Sequence, residues 1–220
     1  MPKNLGLNRF AWNLRYPDAD KLPGDKTTEE LLGGPIAAPG TYQVKLQVGE
    51  QTLTQSFEVK PDPRVQATTQ DLQAQFDLWK KIRDRLSETH NAVKQIRNIR
   101  AQIEEWEKRA AASQNARAAE VAASAKGIKD ALAQIEEALV QTKAKSARSA
   151  LPSKLNLRIA ALVDAVASAD AAPAKQQYEV FDDLSARIEA QLARLKQIID
   201  KDVAAFAEMV DKAGVPAIRG

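Results

Sequence analysis

Residues 57–72 read Phe57-Glu58-Val59-Lys60-Pro61-Asp62-Pro63-Arg64-Val65-Gln66-Ala67-Thr68-Thr69-Gln70-Asp71-Leu72, and the hydrophobic period changes inside them. Before this stretch apolar residues alternate; after it they recur at three and four. Each proline of Pro61-Asp62-Pro63 fixes its own φ and biases the preceding residue towards extended backbone, so the segment reads as a stiff hinge. Thr68-Thr69-Gln70-Asp71 then supplies a hydroxyl followed three residues on by an acid, the signature of a helix N-terminus.

Upstream of the hinge, Tyr42, Val44, Leu46 and Val48 share one face of a strand, and Leu53, Phe57 and Val59 share a face of the next. A period of two marks half-buried strands. Gly49-Glu50 between them reads as a hairpin turn, and Pro39-Gly40-Thr41 launches the first strand. Phe10, Trp12 and Leu14 repeat the alternation, with Arg9, Asn13 and Arg15 opposite, which predicts a third strand. From Pro17 to Pro39 the chain is polar and punctuated, and it reads as a loop with a helical turn around Glu29 to Leu32. Three strands with one apolar face need a cover, either from the helices that follow or from strands upstream of Met1. The sequence therefore looks cut at its beginning.

Downstream, Leu72, Phe76, Trp79, Ile82, Leu86, Val93, Ile96, Ile103 and Trp106 predict an amphipathic helix running to about residue 110. Its length would be about 60 Å. After an Ala-rich connection, Val121, Ile128, Leu132, Ile135 and Leu139 mark a second helix, which Ser146 to Pro152 ends. Leu155, Ile159, Leu162 and Val166 mark a shorter third. Asp170 and Pro173 open a fourth with the stripe Phe181, Leu184, Ile188, Leu192, Leu195, Ile199, Val203, Phe206 and Val210, stopped by Gly214 and Pro216.

Composition divides at the same place, since only four of the 39 Ala precede residue 66 while seven of the ten Pro do. The expected fold is α+β and mostly α. Residues 1–66 are expected to form a small antiparallel sheet of three strands, fewer than an immunoglobulin-type sandwich uses. Residues 67–220 form a long antiparallel helical bundle of three to four helices, up-and-down by default because short connections favour antiparallel neighbours. Trp12, Tyr42 and Phe57 are the expected anchors of the sheet, and Trp79, Trp106, Phe181 and Phe206 those of the bundle.

The 220 residues include no Cys, which removes disulfides, thiolate metal sites and a cysteine nucleophile. One His removes any mechanism needing two imidazoles. Thirty-two Lys and Arg against 29 Asp and Glu leave a net charge of +3, too small to argue for a polyanionic partner. No window approaches the ~18 consecutive apolar residues of a membrane span, and Met1 to Gly6 carries no signal-peptide core.

Each candidate for chemistry has a plainer structural reading. His90 sits near the apolar stripe of the first helix, with no acid or second His at metal-pair spacing, and is expected to pack. Asp18, Asp20 and Glu29 occupy positions 1, 3 and 12 of a calcium-loop template, but Leu22 and Pro23 fill positions 5 and 6, where an oxygen ligand and Gly belong. A polar loop is therefore expected. The doublets Glu104-Glu105, Glu136-Glu137 and Asp182-Asp183 point about 100° apart within each pair and read as solvated flanks rather than a glycosidase pair. Glu179, Asp182 and Asp183 suit the dipole at the start of the fourth helix. Lys80, Lys81, Arg83, Arg85, Lys94, Arg97 and Arg100 give the first helix a positive flank, read as bundle surface rather than a nucleic-acid patch. No catalytic, cofactor or metal residue is assigned.

One resemblance spans nearly the whole chain. Asn8-Arg9-Phe10-Ala11-Trp12-Asn13-Leu14-Arg15-Tyr16-Pro17, then Gly34-Pro35, Ala38-Pro39-Gly40-Thr41-Tyr42, Val59-Lys60-Pro61-Asp62-Pro63-Arg64-Val65 and Gln75-Phe76 carry it, and Gly214-Val215-Pro216-Ala217-Ile218 closes it. Together they resemble the C-terminal region of large bacterial sortilin-like proteins with BNR-repeat propellers, often labelled glycosyl hydrolases. No propeller blade or Asp-box repeat is present, so no catalytic position is carried over. The resemblance implies a non-catalytic accessory module in which residues 1–66 are a small β-sandwich-like, immunoglobulin-like and incomplete domain leading to the helical bundle of residues 67–220. It implies an exported, periplasmic or extracellular protein, whose partner is the upstream propeller or another protein. Two alternatives stand beside it: part of a glycan-acting hydrolase whose catalytic domain lies upstream, and a free-standing helical adaptor that oligomerises.

Overall fold

A computed structural model describes residues 5–112 and 117–213. The chain is mostly helical with a small antiparallel sheet of two strands, β1 (Gly40–Val48) and β2 (Gln51–Val59). The helices are α1 (Thr69–Ala112), α2 (Ala118–Leu139), α3 (Leu155–Val166), α4 (Lys175–Gln197) and α5 (Ala204–Lys212). A π-helical segment, Ile198–Val203, joins α4 to α5, and the backbone stays helical through both junctions. The long fourth stripe is thus one rod with a π-bulge, a feature its hydrophobic spacing does not announce.

The start of α1 follows the expected cap. The Thr68 hydroxyl accepts from the Asp71 N–H at 3.1 Å, and the Asp71 carboxylate accepts from the Thr68 N–H at 2.9 Å. This reciprocal arrangement satisfies two backbone donors. At the start of α4, the Ala174 N–H donates to Gln177 Oε1, while Gln177 Nε2 donates to the Ala165 carbonyl and ties the new helix to the end of α3.

Ion pairs and hydrogen bonds give the helix directions. Glu107 of α1 meets Lys129 of α2, while Arg97 of α1 meets Glu136, so the two run antiparallel. The same rod faces α3 nearer its start, where Gln75 Nε2 donates to the carbonyl of Val166 at 2.7 Å. On α4, Glu189 meets Arg85, and farther along Ile103 and Trp106 share a small cavity lining with Phe206 and Val210. That rod therefore runs parallel to α1. Leu78, Ile82, Leu86, Val93 and Ile96 of α1 are buried against Val121, Leu132, Ile135, Ile159 and Ile188 in one apolar core. Ala19, Leu22 and Leu32, from the long loop before the sheet, join the same core.

The expected third strand is not formed. Residues 10–14 lack strand structure, and the pairing there is a single bridge between Arg15 and Ile36. Local hydrogen bonds turn the chain instead: the Trp12 indole donates to the Arg15 carbonyl, the Arg15 N–H donates to Asn13 Oδ1, and Leu14 adopts φ 58°. Side-chain capture of the backbone within three residues outcompetes the ladder. The sheet among the described residues is therefore a hairpin rather than three strands. Gly49 has φ 59° and Glu50 does not share the positive sign, as a two-residue turn of the II′ kind requires.

Candidate functional site

The register of the hairpin pairs Tyr42 with Phe57, Val44 with Gln55, Leu46 with Leu53 and Val48 with Gln51. These residues occupy one face, and Thr41, Gln43, Lys45, Gln47, Thr52, Thr54, Ser56 and Glu58 occupy the other. At the base, the Trp12 ring packs on Tyr42 at 5.7 Å and on Phe57 at 6.1 Å between centroids. The Tyr42 hydroxyl donates to the Ala38 carbonyl at 2.7 Å. This aromatic trio is the expected sheet anchor, but it caps only the root of the face. Beyond it Val44, Leu46, Val48 and Leu53 stand in solvent, Val48 at 64% and Leu53 at 67% exposure. Phe10 is also exposed, as are Leu5 and Leu7. Among the described residues nothing lies over this part of the face.

What holds the hairpin to the helices is the segment 14–37, folded back on itself and strapped along α1. The Ala19 N–H donates to the Leu32 carbonyl, the Tyr16 N–H to the Pro35 carbonyl and the Ala37 N–H to the Leu14 carbonyl. Gly34 is needed in this closure: a Cβ there would lie 2.1 Å from the Tyr16 carbonyl oxygen and 2.4 Å from that of Pro17. Trp79 Nε1 donates to the Gly33 carbonyl at 3.1 Å, and the Arg15 guanidinium lies over the Trp79 ring while donating to the Gly34 carbonyl. Tyr16 meets Phe76 edge-on. Tyr16, Gly34 and Phe76, from three separate short motifs of the sequence, thus meet in space at the first turns of α1, while residues 214–218 lie outside the described residues. A cavity of about 330 Å³ opens there, with Leu14, Ile36, Phe76 and Trp79 among its walls.

The positive flank of α1 does something the sequence does not reveal. Arg83 donates to the Pro17 carbonyl and Arg97 to the Pro23 carbonyl, so two of its charges fasten the strap. Arg85 pairs with Glu88 and Glu189. Arg97 and Arg100 both reach Glu136, at 2.7 and 3.1 Å. Glu136 is therefore not a solvated flank as expected; it is buried between α1 and α2, held by two guanidinium groups. Glu104, Glu105, Glu137, Asp182 and Asp183 are exposed, as their helix positions suggest, and so is Glu179.

His90 packs as expected, though as the hub of a buried polar cluster rather than among apolar neighbours. Its Nδ1 lies 2.6 Å from the Asp20 carbonyl oxygen, which can only accept, so the proton is on Nδ1. Nε2 faces the carboxylate of Asp25 at 3.8 Å. Asp25 accepts from the N–H and hydroxyl of Thr27, from the Thr28 hydroxyl and from Asn156 Nδ2 at the start of α3. Burial pushes the His90 pKa down, against the opposing pull of the Asp20 carbonyl, Asp25 and the Asp20 charge; Lys94 adds to the lowering. At Asp25 burial alone would raise the pKa, but the Thr28 and Thr27 hydrogen bonds with the His90 charge outweigh it and hold the carboxyl below its ordinary value. This cluster joins strap, α1 and α3. No sequence signal beyond the isolated His singled it out.

The calcium-loop positions are not brought together. Asp18 accepts from the Gly34 N–H, Asp20 accepts from Asn91, and Glu29 pairs with Lys26. Among the described residues no group of three or more His, Asp or Glu could hold a metal ion, and no helix is long and apolar enough to cross a membrane. A groove of about 730 Å³ between α1 and the α4 rod carries the carboxylates of Asp84, Glu88 and Asp200. Asp84 pairs with Lys80 and Arg83, Glu88 with Arg85, and Asp200 with Lys196. Comparison with protein-family models, curated proteins and solved structures finds no match to the chain.

Proposed function

We propose that this chain is a non-catalytic interaction module, the C-terminal accessory part of an exported protein of the sortilin-like, BNR-repeat kind. The helices and strap act as the rigid support. The hairpin is the docking element, whose apolar face is covered by an upstream β-rich domain to complete a sandwich-like unit. One observation carries this reading: Val44, Leu46, Val48 and Leu53 form an ordered apolar face that nothing in the described residues covers. Four such side chains left in water are costly in a free-standing protein, at roughly 25 cal/mol for every Å² that burial would remove. The carboxylates of the groove between α1 and the α4 rod are each tied to a cation, which suits a structural role better than acid–base chemistry.

The experiment is a blot of the source cells, fractionated into cytoplasmic and exported material, with an antibody raised against this chain. A band several times larger than 24.1 kDa in the exported fraction supports the module. A band at the chain's own mass, or a large band confined to the cytoplasm, overturns it.

A further inference from the structure

The exposed face says that β1 and β2 want a cover, and their backbone says what kind. The two-residue turn makes Val48 and Gln51 the closing pair, which exchanges hydrogen bonds. Alternation down the ladder then places Leu46–Leu53, Val44–Gln55 and Tyr42–Phe57 in hydrogen-bonded pairs. The N–H and C=O groups of Thr52, Thr54, Ser56 and Glu58 point the other way, to the outer side of β2. Among the described residues β2 pairs with β1 alone, so this row of donors and acceptors is unpaired by any strand. Residues 51–58 are all exposed.

The two edges differ. On β1 the outward row is Thr41, Gln43, Lys45 and Gln47, and a lysine in mid-row is a common device against strand addition. On β2 the outward row is Thr52, Thr54 and Ser56, uncharged, with the two threonines β-favouring and the Ser56 carbonyl accepting only from the exposed Gln55 side chain among the described residues; Glu58 lies at the base, loosely tied to Lys60 at 3.7 Å. No Pro, Lys or bulge interrupts β2. A helix laid on the apolar face would bury Leu53 and Phe57 but leave the edge unpaired. An extended segment uses both the ladder and the face.

We propose that the outer edge of β2 is a strand-addition site for an extended segment of the partner protein. That segment carries apolar side chains at alternate positions, continuing the Leu53–Phe57 face, and a basic residue opposite Glu58. The proposal rests on reading the chain as an interaction module, and not on which family supplies the partner.

The test uses the full chain and a capped probe peptide, acetyl-Lys-Val-Thr-Val-Gln-Val-Thr-amide. Run antiparallel, it sets its lysine against Glu58 and its valines against Phe57, Gln55 and Leu53. Saturating peptide should slow amide exchange at Thr52, Thr54, Ser56 and Glu58 by about tenfold or more, leaving the outward amides of β1 unchanged. Thr54→Pro deletes one outward N–H without touching a β1–β2 hydrogen bond, and should weaken binding about tenfold or more. Gln43→Pro, the matching change on β1, should not.

The proposal fails if the β2 amides are unprotected, if Thr54→Pro binds as well as the parent, or if a peptide with its three valines made consecutive binds equally. It also fails, in favour of a second copy, if those amides become protected without peptide as protein concentration rises and light scattering shows a dimer. The blot above fails independently of all these outcomes, so loss of one reading is distinguishable from loss of the other.

Discussion

The hairpin and the first helix present the same kind of amphipathic pattern and meet opposite fates. Ile82, Val93 and Ile96 of α1 have no solvent exposure, whereas Val48 and Leu53 keep about two-thirds of theirs. Periodicity identifies the face that needs covering in both cases. It does not say whether the cover lies in the same chain. The α1 stripe finds α2, α3, α4 and the strap; among the described residues the apolar face of the hairpin meets Trp12 at its root and is open beyond it. Buried and exposed copies of one pattern separate residues that hold this chain together from residues kept for something else.

The largest effect should come from the core side of that contrast. Ile82→Ala or Ile135→Ala removes a fully buried side chain from the helical core and should cost about 2–5 kcal/mol. Val48→Thr or Leu53→Thr should change stability by less than ~0.5 kcal/mol in the isolated chain, since neither loses burial on unfolding. Urea melts followed by circular dichroism at 222 nm compare the two sets. A hairpin substitution as costly as a core one would mean the face is already covered, and the contrast would collapse.

The buried ion triad sharpens the boundary between support and surface. Glu136→Gln keeps the shape but leaves Arg97 and Arg100 without a charge partner. Both arginines are about one-third exposed and can recover some solvation, so the expected loss is on the order of 2 kcal/mol. Glu137→Gln, the solvated neighbour, should be silent. The same melts decide between them, and equal effects would show that burial of Glu136 carries no weight.

How much of this was legible follows from the range of each interaction. The helix stripes, the Thr68–Asp71 cap and the hairpin turn are local: residues within four positions decide them, and the sequence spells them out. Phe10–Leu14 also alternates, yet local hydrogen bonds to Arg15 turn it away from the sheet. The strap was legible only as a polar loop, because its order depends on partners more than 60 residues away, Arg83 for Pro17 and Arg97 for Pro23. Glu136 reads as a solvated flank and Asp25 carries no signal for the same reason: their burial is set by helices that a linear pattern does not place. The exposed hairpin face required both kinds of information, a local period and the absence of any described element lying over it.

Gly34 tests whether strap and hairpin are one mechanical unit. Gly34→Ala drives a methyl group into two carbonyl oxygens and must push residues 16–17 off α1. The expected cost is about 1–3 kcal/mol. Trp79 holds the strap at Gly33 and Arg15, and Trp12 links Arg15 to the hairpin, so in a Trp106→Phe background their fluorescence reports both sides of this junction. If Trp79 reddens while the hairpin aromatics do not change, the strap does not set the hairpin's position.

The smallest effect concerns pH and belongs to the supporting side. The ordinary imidazole value of 6.5 describes the unfolded chain, and burial holds His90 below it in the folded one. Below pH 6.5 the unfolded state therefore takes up the proton first, and stability falls with acidification until the folded pKa is passed. Above 6.5 the contribution is complete. The groups facing His90 are Asp20, Asp25 and Lys94. Asp25, held below its ordinary 3.8, adds a further loss only at more acidic pH. As His90 is the single His of the sequence, a stability change between pH 8 and 5 can be assigned to it. Urea midpoints should drop over that interval in the parent and stay flat in His90→Gln, which still donates to Asp20 but does not titrate. A parallel drop in both would remove His90 from the account. A pH response in peptide binding with flat midpoints would instead tie the cluster to the hairpin, erasing the division between support and surface.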